Sequence, residues 1–378
     1  MIAALPLLLI VLVACAGRVR NPQGWSSGVI SDDTIIIGTR QGEVRALDLL
    51  SGETRWKFEL EGEELDRGVY GTPALLGDTV FVGGYDGFVY AVENGNGERK
   101  GKWPEDQDAP LGGIVGSPAI ADDLILITST DGNLYALEFE TEDSSGRISF
   151  NRRWEFHTDS KIWSSPIVAD NVVYFGSQDQ NVYAVNIDSG TKKWSVATGA
   201  AVVASPLVED GIVYVGSFDN VFYALDAATG DEVWRFEEAE NWYWSQALIV
   251  ENQLFVASLD GNLYALDKFT GDRLWVLETD GPIVGSPVVI FDMLAVPSDD
   301  GRIRLVKLAD GIEVGACNIG EDVRTSLVEH DGFIYFGAKD SSLRALRIKS
   351  SGNPDEEWVH YTDREDEDPV ARDEPKKC

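Results

Sequence analysis

Cysteine, histidine and methionine are scarce in this chain, with three, three and two among 378 residues. Three widely separated cysteines build no disulfide framework. Cys15, Cys317 and Cys378 sit in unrelated contexts, and their spacing neither requires nor supports a Cys317–Cys378 bridge. His157, His330 and His360 show no metal-ligand spacing, and the chain has no HExxH, CxxC, GxSxG or Walker pattern. No metal site and no catalytic triad can be assembled from it. Basic residues are outnumbered, 31 Lys and Arg against 64 Asp and Glu, for a net charge of −33. Such a surface repels phosphate backbones and offers no polybasic patch for anionic lipid headgroups. Nucleic acid is excluded as a partner, and the acidity suits solubility.

What the chain has is repetition. The stretch Ala204–Phe236 reads as four short apolar runs punctuated by Asp210-Gly211, Asp219-Asn220 and Thr229-Gly230, turn residues that tolerate positive φ. Aligned on the Pro206 position, copies fall at Gly28, Pro73, Pro118, Pro166, Pro206, Ala247, Pro287 and Leu327, a period of 40 to 48 residues. Four strands per unit at that period predict an eight-bladed β-propeller, an all-β fold of four-stranded antiparallel blades. The second turn repeats with the units, from Gln41-Gly42 and Asp86-Gly87 to Asp300-Gly301 and Asp340-Ser341. A Trp closes seven units: Trp56, Trp103, Trp154, Trp194, Trp234, Trp275 and Trp358; the seventh unit has Val314-Gly315 there instead.

The segment A-L-D-A-A-T-G-D-E-V-W (Ala224–Trp234) resembles the repeat of the pyrroloquinoline-quinone (PQQ) type β-propellers, and it recurs at Ala46–Trp56, Ala184–Trp194 and Ala265–Trp275. The resemblance covers residues 25–358 and implies that each closing Trp packs as a dock between neighbouring blades. Burying such an indole removes about 150–250 Å² from water, on the order of 4–6 kcal/mol gross. The same repeat builds quinoprotein dehydrogenases and non-enzymatic scaffolds, among them the lipoprotein subunit of the outer-membrane β-barrel assembly machinery. The dehydrogenases typically carry an adjacent Cys-Cys pair and a calcium held by Glu, Asn and Asp. This chain has no Cys-Cys, so PQQ with calcium is disfavoured as a cofactor.

Residues 1–14 are uncharged and apolar, too few to span a bilayer as a helix but suited to a signal peptide. Leu12-Val13-Ala14-Cys15 resembles a bacterial lipobox, which implies lipidation of Cys15 and a tether over residues 15–24. The expected location is extracytoplasmic and membrane-anchored: outer membrane or periplasm in a diderm, cell surface in a monoderm. The membrane is met through the lipid anchor only. Every blade can draw its four strands from consecutive sequence, so the ring is expected to close by packing of blade eight on blade one, with no strand exchanged. The excess in blade three, Glu140–Arg153, reads as a polar loop. Residues 359–378 lack apolar periodicity and are dense in charge, which predicts a disordered tail.

The position three residues before the Pro slot is expected on the innermost strand. It holds Trp25, Tyr70, Val115, Trp163, Val203, Trp244, Val284 and Arg324. Trp25, Tyr70, Trp163, Trp244 and Arg324 form either a rim that grips a ligand or partner side chain, or a set of rings that fill the channel. Arg324 is suited to a carboxylate. The turn Asp86, Asp131, Asp219, Asp260, Asp300 and Asp340 have a sufficient local role in the hairpins and lie one per blade, too dispersed for a calcium shell. The reading is a non-enzymatic scaffold that binds an envelope protein or polymer. The alternative is a propeller that binds PQQ or another small molecule at its axial mouth.

Overall fold

The computed structural model describes residues 26–61, 67–105, 109–142, 146–363 and 370–378. Among them there is no helix. Eight antiparallel sheets follow one another, spanning residues 28–59, 74–103, 119–157, 167–197, 207–236, 248–278, 288–318 and 328–361, each with its four strands side by side in sequence order. First strands of neighbouring blades face one another around a central axis, and blade one meets blade eight there, so the ring closes. Among the described residues no strand is exchanged at the closure: residues 28–59 supply four strands of blade one, and residues 328–361 supply four strands of blade eight.

Local chemistry sets the strand breaks. In the turn between second and third strands the second residue is left-handed in every blade, from Gly42 at φ +80° to Ser341 at +64°. That explains the Gly, Asn and Ser found there, since few other residues accept that conformation. The Asp before it is a hub. In blade five, Asp219 Oδ1 accepts the Val221 N–H at 3.0 Å, while Oδ2 accepts the Tyr223 hydroxyl at 2.7 Å and the Gly199 N–H of the blade-four connection at 2.6 Å. Tyr fills the hydroxyl role in blades two to six. In blades seven and eight Arg304 and Arg344 take it, as ion pairs with Asp300 and Asp340.

The core is eight layers, one per seam between blades. Each layer joins residues of two neighbouring sheets, and the last joins Ile35, Ile37 and Leu47 to Tyr335, Ala345 and Trp358. A register shift recurs in every blade between third and outer strands. It follows the pair formed by an Ala and the closing Trp, as in Ala224↔Trp234. Six indoles then repeat one contact, the Nε1–H donating to a backbone carbonyl of the next blade: Trp56 to Asn94, Trp154 to Ile187, Trp194 to Ala227, Trp234 to Lys268, Trp275 to Leu308 and Trp358 to Leu49. Each ring lies on the corner glycine of that blade. A Cβ at Gly52 would sit 2.8 Å from Trp358 and one at Gly190 2.8 Å from Trp154, so glycine is required on the receiving side.

Trp103 is not one of these docks. In blade two the register pairs Ala91 with Gly101, and Trp103 lies two residues further along, edge-on to Tyr135 with ring centroids 5.4 Å apart. Blade seven repeats the arrangement with Leu305↔Gly315. At both seams a Cβ on the glycine would collide with a carbonyl oxygen of the next blade, that of Ile148 or Gly352. The sheets therefore approach too closely at the glycine position for an indole to dock there, and Trp103 meets blade three from further along the strand. Each of these seams has its own reinforcement. At the first, the expected loop Glu140–Arg153 is instead a lengthened hairpin, Asn133–Thr141 with Ile148–His157. Its Phe139 and Phe150 pack on Phe81 of blade two. The alternation of Ile148 and Phe150 with polar neighbours is a strand pattern that the charged flanks obscure.

At the second seam a disulfide joins Cys317, on the outer strand of blade seven, to Cys378, with Cα atoms 4.6 Å apart. The tail expected to be disordered is what brings Cys378 there. The outer strand of blade eight runs on to Tyr361, and Val370–Lys377 pairs antiparallel with it as a fifth strand. Strand pairing satisfies backbone groups whatever the charge of the side chains. Composition alone therefore misled.

Candidate functional site

A belt of hydrogen bonds sets the inner face of the ring. The residue before the Pro slot donates or accepts across each of several seams: Thr72 N–H to Ser117 Oγ at 2.8 Å, Ser117 N–H to Ser165 Oγ at 2.9 Å, Ser165 N–H to Ser205 Oγ at 3.0 Å and Ser286 N–H to Ser326 Oγ at 3.0 Å. Ser27 Oγ donates to the Ser326 carbonyl at 3.0 Å across the closure. Gln246 keeps the belt through its side chain, donating to the Pro206 carbonyl at 2.6 Å and accepting Ser286 Oγ at its own carbonyl. The sequence signal was the Ser that precedes Pro118, Pro166, Pro206 and Pro287.

Two residues ahead of that belt lies the rim position. It falls on the connection that enters the inner strand and not on the strand itself, which begins only after the Pro slot. Trp25 lies outside the described residues. Trp163 enters blade four and Trp244 enters blade six, yet their rings meet, centroids 6.1 Å apart and planes inclined at 52°. They reach each other past blade five, whose residue at this position is the small Val203. Trp163 Nε1 is buried without a hydrogen-bond partner. Tyr70 packs edge-on against Tyr85 at 5.3 Å. Burial, with Tyr85 adding to it, pushes its phenol well above the usual value.

Arg324 has a carboxylate from the chain itself. Its guanidinium forks onto Asp299 of blade seven, Nε to Oδ1 at 3.1 Å and Nη2 to Oδ2 at 2.8 Å. Asp322, 3.5 Å from Arg324, also receives Lys339 Nζ at 2.7 Å. Burial raises the Asp299 carboxyl above its ordinary value, more than Arg324 lowers it, and Asp322 adds to the rise. The rim thus brings together Trp163 and Trp244 on one side and sets an ionic cluster at blades seven and eight on the other.

Two members of the mouth were missed in the sequence. Phe218 occupies the position before the turn Asp219, equivalent to Tyr85 and Asp299. Trp242 lies two residues before Trp244. The rings of Phe218 and Trp242 stack at 4.4 Å with planes 11° apart, and Phe218 reaches Trp244 at 5.6 Å. The aromatic run Trp242-Tyr243-Trp244 was the available signal.

The donors present do not fit a calcium site. Asp219 and its equivalents spend their oxygens on the turn, on a Tyr or Arg of their own blade and on the neighbouring connection, as at Asp179 and Asp260. Among the described residues no three His, Cys, Asp or Glu converge in a metal-binding group. His157 bonds Asn133 Oδ1 at 3.0 Å on the surface, as a strand-end partner.

The repeats match a known family. The model of the outer membrane protein assembly factor BamB matches residues 21–146, 149–247 and 220–365. The chain belongs to the BamB family. BamB from Moraxella catarrhalis superposes with a TM-score of 0.69 at 19% identity, over 86% of this chain and 94% of that one. The computationally designed Ika8 protein gives a TM-score of 0.70 at 18% identity, over 87% and 98%. At these identities both show the fold alone. No curated protein matches. For a BamB-family chain, PQQ-type repeats and eight blades are as the sequence implied.

Proposed function

We propose that this BamB-family chain is a non-enzymatic scaffold of the cell envelope, held outside the cytoplasm by a lipid on Cys15 and binding a protein partner on its rigid faces. The family match across residues 21–365 carries the reading. Three features of the chain support it. Every turn Asp described above is consumed by structure. The rim Arg324 is neutralised by Asp299. The indoles of Trp163 and Trp244 fill the space in front of blade five. A closed ring with one apolar core layer per seam presents fixed surfaces with little ordering on binding.

Intact mass of the membrane-bound form tests the anchor: a diacyl or triacyl adduct on Cys15 supports it, and an unmodified N-terminus or Cys15 removes it. The axial-ligand alternative has one observation in its favour, the unpartnered Trp163 Nε1. Titration with PQQ and calcium, read by quinone absorbance and thermal shift, separates the two. A saturable shift abolished by Trp163→Ala or Trp244→Ala replaces the scaffold reading with a ligand-binding one.

A further inference from the structure

Among the described residues, the connection into blade six, Glu238-Ala-Glu-Asn-Trp-Tyr-Trp244, stands apart from its counterparts in carrying a large exposed ring. Trp242 is 44% exposed although its backbone is fixed, its carbonyl accepting the Leu259 N–H at 2.9 Å and its N–H donating to Asn241 Oδ1 at 2.9 Å. One face of the indole lies flat on Phe218. Through Phe218 and Trp244 it joins Trp163, so four rings run from blade four to blade six. The connection into blade five beside them runs Gly199-Ala200-Ala201-Val202-Val203, with nothing larger than valine, and the Ala201 carbonyl holds the Phe218 N–H at 2.9 Å. No bulky side chain of that connection covers the stack.

Acidic side chains outnumber basic ones around the stack. Glu237, Glu238 and Glu240 precede Trp242, and Asp159 and Asp280 stand at the position of Glu240 on the connections into blades four and seven; all five are exposed. Against them stand Lys161 on the connection into blade four, Arg273, which is already paired with Glu238, and Arg235, which is already paired with Glu232 and Glu237. Elsewhere the chain places its own cations over rings: Lys102 over Phe88 at 4.0 Å, Lys268 over Phe269 at 5.2 Å and Arg347 over Phe333 at 5.1 Å. None of these lies on Trp242.

Resting on the scaffold reading and deepening it, we infer that the partner docks here through a basic, extended segment, an arginine guanidinium lying on the open face of Trp242. An indole is the best ring for such a contact, and a planar guanidinium stacks on it while keeping its N–H groups free for carboxylates. The acidic connections draw a basic segment in and hold its remaining cations. A partner face of neutral or acidic character gains nothing from this arrangement.

The test is calorimetric titration of the full mature chain with an acetylated, amidated peptide alternating arginine and glycine. Its twin, with citrulline for each arginine, keeps the shape and loses the charge. Expected is saturable binding of the arginine peptide, weakened on the order of 10-fold by Trp242→Ala and by the citrulline twin, and partly restored by Trp242→Phe. Trp242 is exposed, so the variant retains the fold; Glu238→Gln with Glu240→Gln provides a second weakening that leaves every ring in place. Absence of saturable binding, equal affinity for Trp242→Ala, or saturable binding of a neutral oligosaccharide in place of the peptide overturns the inference. Pull-down separates the two readings. Undiminished capture of an envelope protein by Trp242→Ala removes this docking site and leaves the scaffold standing, whereas capture of none by the unaltered chain removes the scaffold itself.

Discussion

Replacing Trp194 and Trp103 by alanine, one at a time, distinguishes a docked indole from one that merely shares its sequence position. Trp194 is 8% exposed, donates to the Ala227 carbonyl at 3.0 Å and covers the corner glycine Gly230 of blade five. Its removal empties a site between the Gly230 corner and the Tyr174 ring, whose wall on the glycine side is backbone and closes only in part. A truncation of this kind costs about 3–5 kcal/mol. The Ala227 carbonyl stays satisfied, because the Tyr174 hydroxyl also donates to it at 3.0 Å. Trp194→Phe, which loses only the N–H and part of the area, therefore costs about 1 kcal/mol. Trp103 is half-buried, outside the dock register and edge-on to Tyr135. Trp103→Ala is expected to cost about 1–2 kcal/mol, mainly the lost ring contact and part of its burial. Urea unfolding followed by circular dichroism, with the slope checked for constancy, gives the comparison. Equal losses for Trp194→Ala and Trp103→Ala would refute the register argument, and with it the claim that Gly101 occupies the dock of blade two.

Three further outcomes follow from named contacts. His360, buried beside Arg45 with Nε2 3.3 Å from its Nη1, is lowered from 6.5 to about 4, first by burial and then by Arg45. Its stabilising contribution is complete above pH 6.5 and is lost as pH falls towards 4, by about 3 kcal/mol in all; unfolding across that range should show a correspondingly shallower loss in His360→Gln, and parallel profiles would count against it. The Cys317–Cys378 bridge closes a separation of 61 residues, which the chain-entropy relation makes worth about 4 kcal/mol, so reductant should lower the melting temperature of the unaltered chain and leave that of Cys317→Ala unmoved. Asp219→Ala removes the acceptor of three hydrogen bonds at once and is expected to cost about 2–3 kcal/mol; a loss below 0.5 kcal/mol measured by thermal unfolding would deny the hub its role.

The fold was legible because its determinants are local and repeated. Turn pairs such as Asp86-Gly87 and Asp260-Gly261 report left-handed backbone directly, and eight copies at one period leave a propeller as the economical solution. What escaped depends on partners distant in sequence. Whether Gly101 or Trp103 occupies the dock position opposite Ala91 is decided by a two-residue offset in strand pairing, which the Trp alone does not reveal. The fifth strand at Val370–Lys377 and its disulfide depend on the outer edge of blade eight lying beside blade seven, and nothing in a charged tail announces them. At the mouth, Trp163 and Trp244 were visible as equivalent positions. Their meeting past Val203 was not, nor was the capture of Arg324 by Asp299, because both need the third dimension.

The reading of this chain as an envelope scaffold meets its most direct test in cross-linking on intact membranes followed by capture of the chain after solubilisation. The account predicts one discrete envelope protein recovered in fixed stoichiometry. Recovery of the chain alone, after mild and after exhaustive cross-linking, would contradict it.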